Sequence, residues 1–140
     1  MKTSALVLLA VISAFVSLEA SADQFYGPTG SNIGRVETDA QGNTRYYDKS
    51  GSFIGSGRRD SSGSVRYYDK SGSYAGKSET SGNSTRYYDK RGSYAGKSET
   101  SGNSTRYYDK SGSYAGKSET SGNNTRYYDK KGSHVGSKRR

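Results

Sequence analysis

The chain has 140 residues and a formal net charge of +9, with 22 Lys and Arg residues against 13 Asp and Glu residues. It contains no Cys and no Trp, which excludes disulfides and Cys-based metal or redox chemistry. A single His offers little to an active site, and the length suits one domain.

The N-terminal segment is apolar. Residues 5–18 form an apolar run, preceded by Lys2 and followed by the small-x-small sequence Ala20-Ser21-Ala22. This is the pattern of a secretory signal peptide, and we predict that residues 1–22 are removed by cleavage after Ala22. The run is shorter than the roughly 20 residues that a membrane-spanning helix requires. We therefore expect a secreted or periplasmic mature chain, residues 23–140, that has no membrane span.

The mature chain is poor in the side chains that build an ordinary core. It has no Leu, and its Phe, Ile and Val residues number seven in all. Such a chain is either disordered or packs its many Tyr side chains in a thin structure. The seven residues are Phe25, Ile33, Val36, Phe53, Ile54, Val65 and Val135.

Tandem repeats fill the mature chain. The sequence Arg-Tyr-Tyr-Asp occurs five times, at steps of 21, 20, 20 and 20 residues, and a degenerate copy begins at Gln24. Self-similarity at a fixed period is typical of repeat architectures. We predict a single β-repeat domain of six units, at residues 24–44, 45–65, 66–85, 86–105, 106–125 and 126–140.

Each unit is predicted to form two short strands and two tight turns. In the unit that begins at Arg86, β-forming residues precede residues 89–92, which carry the Asp and the Gly of a type I turn. The returning strand would place Tyr94 opposite Tyr88, and strand alternation places Tyr87 and Tyr88 on opposite faces. Short strands at this spacing favour an all-β fold, which we expect to be a thin twisted sheet or a β-hairpin solenoid.

Two family resemblances rest on this repeat. Residues 102–112 read Gly-Asn-Ser-Thr-Arg-Tyr-Tyr-Asp-Lys-Ser-Gly, a string that resembles the YD repeat of bacterial Rhs and teneurin-type proteins. The repeat is also similar to choline-binding cell-wall repeats, whose ligand pockets depend on Trp, so no choline site is carried over. Both resemblances imply β-hairpin repeats at a bacterial surface or outside the cell.

Three features imitate chemical sites without meeting their requirements. The sequence at residues 72–78 has three residues between its glycines, whereas a phosphate-binding loop needs four. His134 has no second His or Cys with which to share a metal, and each turn offers one carboxylate where a calcium loop needs several oxygen ligands. We therefore predict no enzyme activity, no cofactor and no metal.

Charge is the remaining functional signal. Arg and Tyr recur together in the units, and residues 137–140 are predicted to form a basic tail. We expect a structural or adhesive protein that binds anionic envelope or matrix polymer multivalently, with polysaccharide favoured over extracellular DNA. The alternatives are a self-assembling fibre or matrix subunit and a protein-interaction module. The predicted polymer-binding residues are Arg45, Tyr47, Arg66, Tyr68, Tyr74, Arg86, Tyr88, Tyr94, Arg106, Tyr108, Tyr114, Arg126, Lys138, Arg139 and Arg140.

Overall fold

The computed structural model describes residues 21–140, and its regular structure consists of β-strands. No helix in this range is long and apolar enough to cross a membrane. The predicted signal peptide lies outside the described residues apart from its last two. The strands are β1 (Ser21–Tyr26), β2 (Asn32–Thr38), β3 (Thr44–Asp48), β4 (Phe53–Arg59), β5 (Val65–Asp69), β6 (Tyr74–Ser81), β7 (Ser84–Asp89), β8 (Tyr94–Ser101), β9 (Ser104–Asp109), β10 (Tyr114–Ser121), β11 (Asn124–Asp129) and β12 (His134–Arg139).

The strands form one antiparallel meander that closes into a barrel. Each strand pairs with the next along the chain, and β12 pairs with β1 through Gln24↔Arg139, Phe25↔Lys138 and Tyr26↔Ser137. The all-β prediction is therefore confirmed, whereas the predicted open sheet or solenoid is wrong. Closure pairs both edge strands, whose backbone groups would otherwise stay unpaired.

A constant stagger between units explains the closure. Arg45 on β3 lies opposite Ser56 on β4, and Ser56 lies opposite Tyr68 on β5. Tyr68 is two residues beyond Arg66, which is the counterpart of Arg45 in the next unit. The same two-residue shift recurs in every unit, including the one that joins β12 to β1. A sheet that staggers in one direction curls on itself and closes when its first and last strands meet.

The turns use the residues that the sequence indicates. Gly92 N donates to Asp89 O at 3.0 Å, and Asp89 N donates to Ser93 O at 2.9 Å. The Asp89 carboxylate accepts from the backbone N–H groups of Arg91 at 2.8 Å and Ser93 at 2.9 Å. Gly92 has a φ of 82°, which a residue with a Cβ adopts only at a cost. The Asp of each repeat is thus a turn residue, as its position predicts.

A β-bulge follows each of these turns and requires a second glycine. The register shifts between Tyr67 and Tyr68, so that Tyr67 faces Gly76 while Tyr68 faces Tyr74, and Ala75 is the extra residue. Gly76 has a φ of 139°, and a Cβ on it would collide with the carbonyl oxygen of Tyr88. Glycines at the equivalent place in all six units meet the same obstacle. The glycine of the Gly-Lys sequence in the apparent phosphate loop is therefore required by the close approach of the two backbones.

Tyrosines fill the interior. Tyr87 is 7% exposed and points inward, whereas its neighbour Tyr88 points outward, as strand alternation predicts. The Tyr87 hydroxyl lies 3.0 Å from Ser98 Oγ, which is itself buried. Burial raises the pKa of Tyr107 to about 12. The core cluster consists of Phe25, Val36, Tyr46, Val65 and Tyr67.

Candidate functional site

The outer wall of the barrel carries a row of tyrosines, one from each unit, and every ring is covered by a cation. Equivalent residues of successive units lie on a circle around the barrel because the stagger is constant. The cation belongs to the strand that precedes the tyrosine around the barrel. The pairs, with the distance from the charged centre to the ring centroid, are Arg35–Tyr47 (4.2 Å), Arg58–Tyr68 (5.2 Å), Lys77–Tyr88 (5.1 Å), Lys97–Tyr108 (5.1 Å), Lys117–Tyr128 (5.4 Å) and Arg139–Tyr26 (5.7 Å).

Two units supply this cation from a different position. Where other units have a Lys or Arg directly opposite the tyrosine, β4 has Ser56 and β12 has Ser137. In both strands an Arg stands two residues further on, at the place of the Glu in other units, and reaches back over the ring. The cation–tyrosine contact is therefore constant around the barrel, although its source varies. Such contacts contribute about 0.5–1 kcal/mol each at exposed sites.

The lysines of this surface are also bonded to glutamates. Lys77 Nζ lies 2.6 Å from Glu79 Oε1, and Lys97 and Lys117 form the same pair with Glu99 and Glu119. The hydrogen bond to Glu79 is the main reason that the pKa of Lys77 is raised. Exposed pairs of this kind add little stability, but they neutralise the carboxylates of the outer wall.

A second row, of arginines, lies two residues before the tyrosines on the same strands. All five arginines are exposed, and none forms an ion pair within 4.0 Å in the described part of the chain. Glu79 lies opposite Arg86 in the ladder but bonds to Lys77 instead. The row consists of Arg45, Arg66, Arg86, Arg106 and Arg126, and Gln24 occupies the sixth place.

Together these outward rows form what we call the outer belt. It comprises the tyrosine row with its covering cations, the arginine row and the glutamates Glu37, Glu79, Glu99 and Glu119. Eleven cations and four carboxylates give the belt a surplus of seven positive charges, out of the +9 of the whole chain. The belt is therefore the main source of the protein's positive field.

A third set of aromatic side chains lies beside the tyrosine row. Tyr94 packs edge-to-face on Tyr88 with ring centroids 6.3 Å apart, as the predicted pairing requires. Tyr74 and Tyr114 make the same contact with Tyr68 and Tyr108. These three side chains are 38–39% exposed, so they are the more accessible tyrosines of the wall. His134 takes the same place against Tyr128, with ring centroids 6.0 Å apart, which gives it a packing role.

The structure brings the predicted arginines and tyrosines together but disperses the predicted basic tail. Ser137, Lys138 and Arg139 belong to β12, so the tail prediction is wrong for these residues. Lys138 faces the interior and pairs with Asp23, while Arg139 covers Tyr26. Arg140 N donates to Asn123 O at 3.0 Å, which anchors the last residue to a turn. Because β12 closes the barrel, the basic residues Lys138 and Arg139 are held in a strand and point to opposite faces of the sheet.

Of the six covering cations, sequence reasoning named Arg139 alone, and it placed that residue in a tail. Lys77, Lys97 and Lys117 stand two residues before a Glu on the same strand, a spacing that puts both side chains on one face. That spacing was a usable signal for the Lys–Glu pairs. The placement of each Lys over a tyrosine of the next strand follows from the register, which the sequence does not state.

The turn carboxylates do not assemble a metal site. Within residues 21–140, no group of three or more His, Cys, Asp or Glu side chains is close enough to hold a metal ion. The Asp69 carboxylate accepts hydrogen bonds from the Ser71 hydroxyl at 2.6 Å and from two backbone N–H groups. The Ser71 bond is the main reason that the pKa of Asp69 is lowered. All three hydrogen bonds are accepted by Oδ1, so the turn itself accounts for the Asp at this place.

Comparison with known proteins gives little to add to this geometry. No family model matches the chain, and no curated protein is similar to it. Among solved structures, a weak likeness is to an alternansucrase in complex with isomaltononaose, 20% identical, with a TM-score of 0.23. The likeness covers 76% of this chain and 12% of the alternansucrase chain, and at that TM-score it carries no argument about fold or function.

Proposed function

We propose that the protein is a secreted, non-enzymatic binding protein that captures anionic polysaccharide of an envelope or matrix through the outer belt. The observation that carries the proposal is the arginine row: five exposed guanidinium groups, one in each of five units, with no ion pair within 4.0 Å among residues 21–140. Arginine binds carboxylate, sulfate or phosphate groups through paired hydrogen bonds, so an unpaired row suits a repeating polyanion.

Repetition supports multivalent capture. Each arginine alone would bind one exposed anionic group weakly, but five on one surface engage a single polymer at high effective concentration. The exposed tyrosines Tyr74, Tyr94 and Tyr114 offer rings against which sugar faces can pack. The rings of the tyrosine row are not sugar-packing positions in this proposal, because one face of each ring already holds a cation.

Closure of the barrel favours polymer capture over the fibre alternative. A fibre that grows by strand addition needs an open sheet edge, and β1 and β12 are paired to each other. The belt, by contrast, is fully available in a single closed barrel.

The proposal is tested with two charge-matched variants. One replaces the five arginines of the row (R45Q/R66Q/R86Q/R106Q/R126Q), and the other replaces five exposed turn lysines (K49Q/K70Q/K90Q/K110Q/K130Q). Each lowers the net charge of +9 by five, so the two differ in where the charge is removed.

Binding is measured by co-sedimentation with alginate beads across a salt series, with uncharged agarose beads and DNA–cellulose as comparisons. We expect the wild type to bind alginate in a salt-sensitive manner and to ignore agarose, because the attraction is screened by salt. The arginine variant should lose binding, and the lysine variant should retain most of it. Equal losses, or no alginate binding by the wild type, would contradict the proposal. Preference for DNA would redirect it to extracellular nucleic acid.

A further inference from the structure

We infer that a bound polyanion runs around the barrel along the arginine row, across the strands, and that its path has two defined ends. This inference rests on the proposed function and adds the route and the length of the ligand. Three features of the outer belt support it: the spacing of the arginine row, the absence of net negative charge between successive arginines, and the uncharged Gln24 at the sixth place.

The spacing follows from the register. From Arg66, Lys77 lies directly opposite on β6, and Tyr88 lies opposite Lys77 on β7, two residues beyond Arg86. Successive arginines are therefore two strands apart with a two-residue stagger. With strands about 4.8 Å apart and about 3.3 Å per residue, their backbone positions are about 12 Å apart. Four such intervals separate Arg45 from Arg126, so the path is about 48 Å long at the backbone and longer at the guanidinium groups.

The side chains that lie between successive arginines on the intervening strands carry no net negative charge. On β6, between Arg66 and Arg86, the outward pair is Lys77 and Glu79, which are hydrogen-bonded to each other. The same neutral Lys–Glu pair occupies β8 and β10. Between Arg45 and Arg66, the pair on β4 is Ser56 and Arg58, which adds a positive charge. On β4, β6, β8 and β10 no unneutralised carboxylate faces the path from Arg45 to Arg126. The Asp60 carboxylate, in the turn after β4, interacts electrostatically with Arg66 without an ion pair within 4.0 Å in the described residues.

The row ends at the seam where β1 and β12 pair. Gln24 on β1 holds the sixth place and carries no charge. Arg139, which lies opposite Gln24, is engaged with the Tyr26 ring and with Asn124, to which its Nε donates at 3.3 Å. The arginine row is therefore an arc with ends at Arg45 and Arg126. A ligand that follows it gains contacts only until it reaches both ends.

This route predicts a length threshold. Each anionic group added to a short ligand reaches one more arginine intramolecularly, so the dissociation constant should fall steeply with length. Once the ligand spans the arc, further length adds only alternative registers. The dissociation constant should then fall by less than about threefold for each doubling of length, which is the statistical gain of a longer lattice.

The test uses size-fractionated heparin oligosaccharides as the probe and protein purified after expression of the full-length chain. Binding is measured by fluorescence anisotropy at fixed ionic strength. We expect one oligosaccharide per protein and a threshold at a contour length of at least about 48 Å. A dissociation constant that is independent of length, or that falls without a plateau, would overturn the route.

Two single variants test the arc itself. R126Q removes an end, so we expect it to move the threshold to ligands about 12 Å shorter. R86Q removes the middle contact, so we expect it to weaken the binding of long ligands and leave the threshold unchanged. Identical thresholds for the two variants would overturn the inference, as would a threshold that shifts in the five-lysine turn variant. Failure of every heparin fraction to bind would reject the proposed function and the route with it.

Discussion

Lys138 Nζ lies 3.0 Å from Asp23 Oδ2, and this ion pair joins the last strand of the barrel to the first. The two side chains are 15% and 14% exposed. At the equivalent places on β10 and β11 stand Ser118 and Thr125, so the charged pair distinguishes the terminal strands from these internal ones. We predict that this complementary charge pair favours the pairing of β12 with β1, in the way that buried polar residues specify register in coiled coils.

Removing one partner of this pair should destabilise the barrel. In K138S the Asp23 carboxylate loses its partner in a largely buried place, and we expect a loss of about 3 kcal/mol in the free energy of unfolding. D23T/K138S installs the pair found in internal units and should recover most of that loss. Urea unfolding of the wild type, both single variants and the double variant gives the coupling energy. If the single-variant losses simply add in the double variant, the pair has no role in closure.

The sequence contains the unit of this fold but not its closure. The strands, the Asp–Gly turns and the Tyr88–Tyr94 pairing follow from local patterns that repeat in every unit. Closure depends on a stagger of two residues per unit, which arises from the bulge at positions such as Ala75 and from register across strands. Basic residues at a chain end indicate a solvated tail, and only the three-dimensional seam shows that Lys138 faces inward.

The site was predictable to a similar degree. Period and alternation place the arginines and the outer tyrosines on one surface, and the structure has them there. The covering cations depend on which strand lies beside which, so they could not be read from a single unit. Arg58 and Arg139 illustrate this, because each covers a tyrosine from a position where other units carry Glu.

Two buried tyrosines should respond differently to loss of the hydroxyl. Tyr87 lies 3.0 Å from Ser98 Oγ, so Y87F leaves a buried serine without its partner and should cost about 1 kcal/mol or more. Tyr46 pairs with Gly55, and its hydroxyl lies beside Gly57, where the unit of Tyr87 has Ser98. Its hydroxyl and the nearby Thr44 hydroxyl are buried and make no hydrogen bond of good geometry within residues 21–140, although Thr44 is close enough to act on the pKa of Tyr46. Y46F should therefore leave the free energy of unfolding unchanged or raise it. Urea unfolding of both variants decides the matter, and equal losses would contradict this account of the interior.

Two glycines of one unit should differ in their tolerance of a methyl group. Gly72 has a φ of 84° and open space around it, so G72A carries backbone strain alone, about 1 kcal/mol. Gly76 has a φ of 139°, and a Cβ there would collide with the Tyr88 carbonyl oxygen of the neighbouring strand. G76A should therefore cost at least about 3 kcal/mol, since backbone must move. Urea denaturation measures the free energy of unfolding of each variant, and the midpoint of thermal unfolding serves as a second measure. A smaller loss in G76A than in G72A would show that the bulge yields easily.

The turn carboxylates should make the barrel sensitive to acid. Hydrogen bonds, first those from Ser50, Ser71 and Ser111, hold the pKa values of Asp48, Asp69 and Asp109 below the ordinary value. A carboxyl group whose pKa is lowered by folding stabilises the fold above its unfolded pKa, about 3.9, and this contribution is lost as the pH falls through its folded pKa. The midpoint temperature of thermal unfolding should therefore drop as the pH is lowered below about 4.

The serine hydroxyls offer a direct test of that cause. In S50A/S71A/S111A the carboxyl groups lose their strongest hydrogen bond, so their pKa values should rise toward the ordinary value and the acid dependence should become shallower. The stability difference from the wild type should be largest near neutral pH and should shrink as both proteins become protonated. S81A/S101A/S121A is the matched control, because these exposed serines donate to no carboxylate within residues 21–140. A difference that stays constant across the pH range would assign the acid sensitivity to other groups.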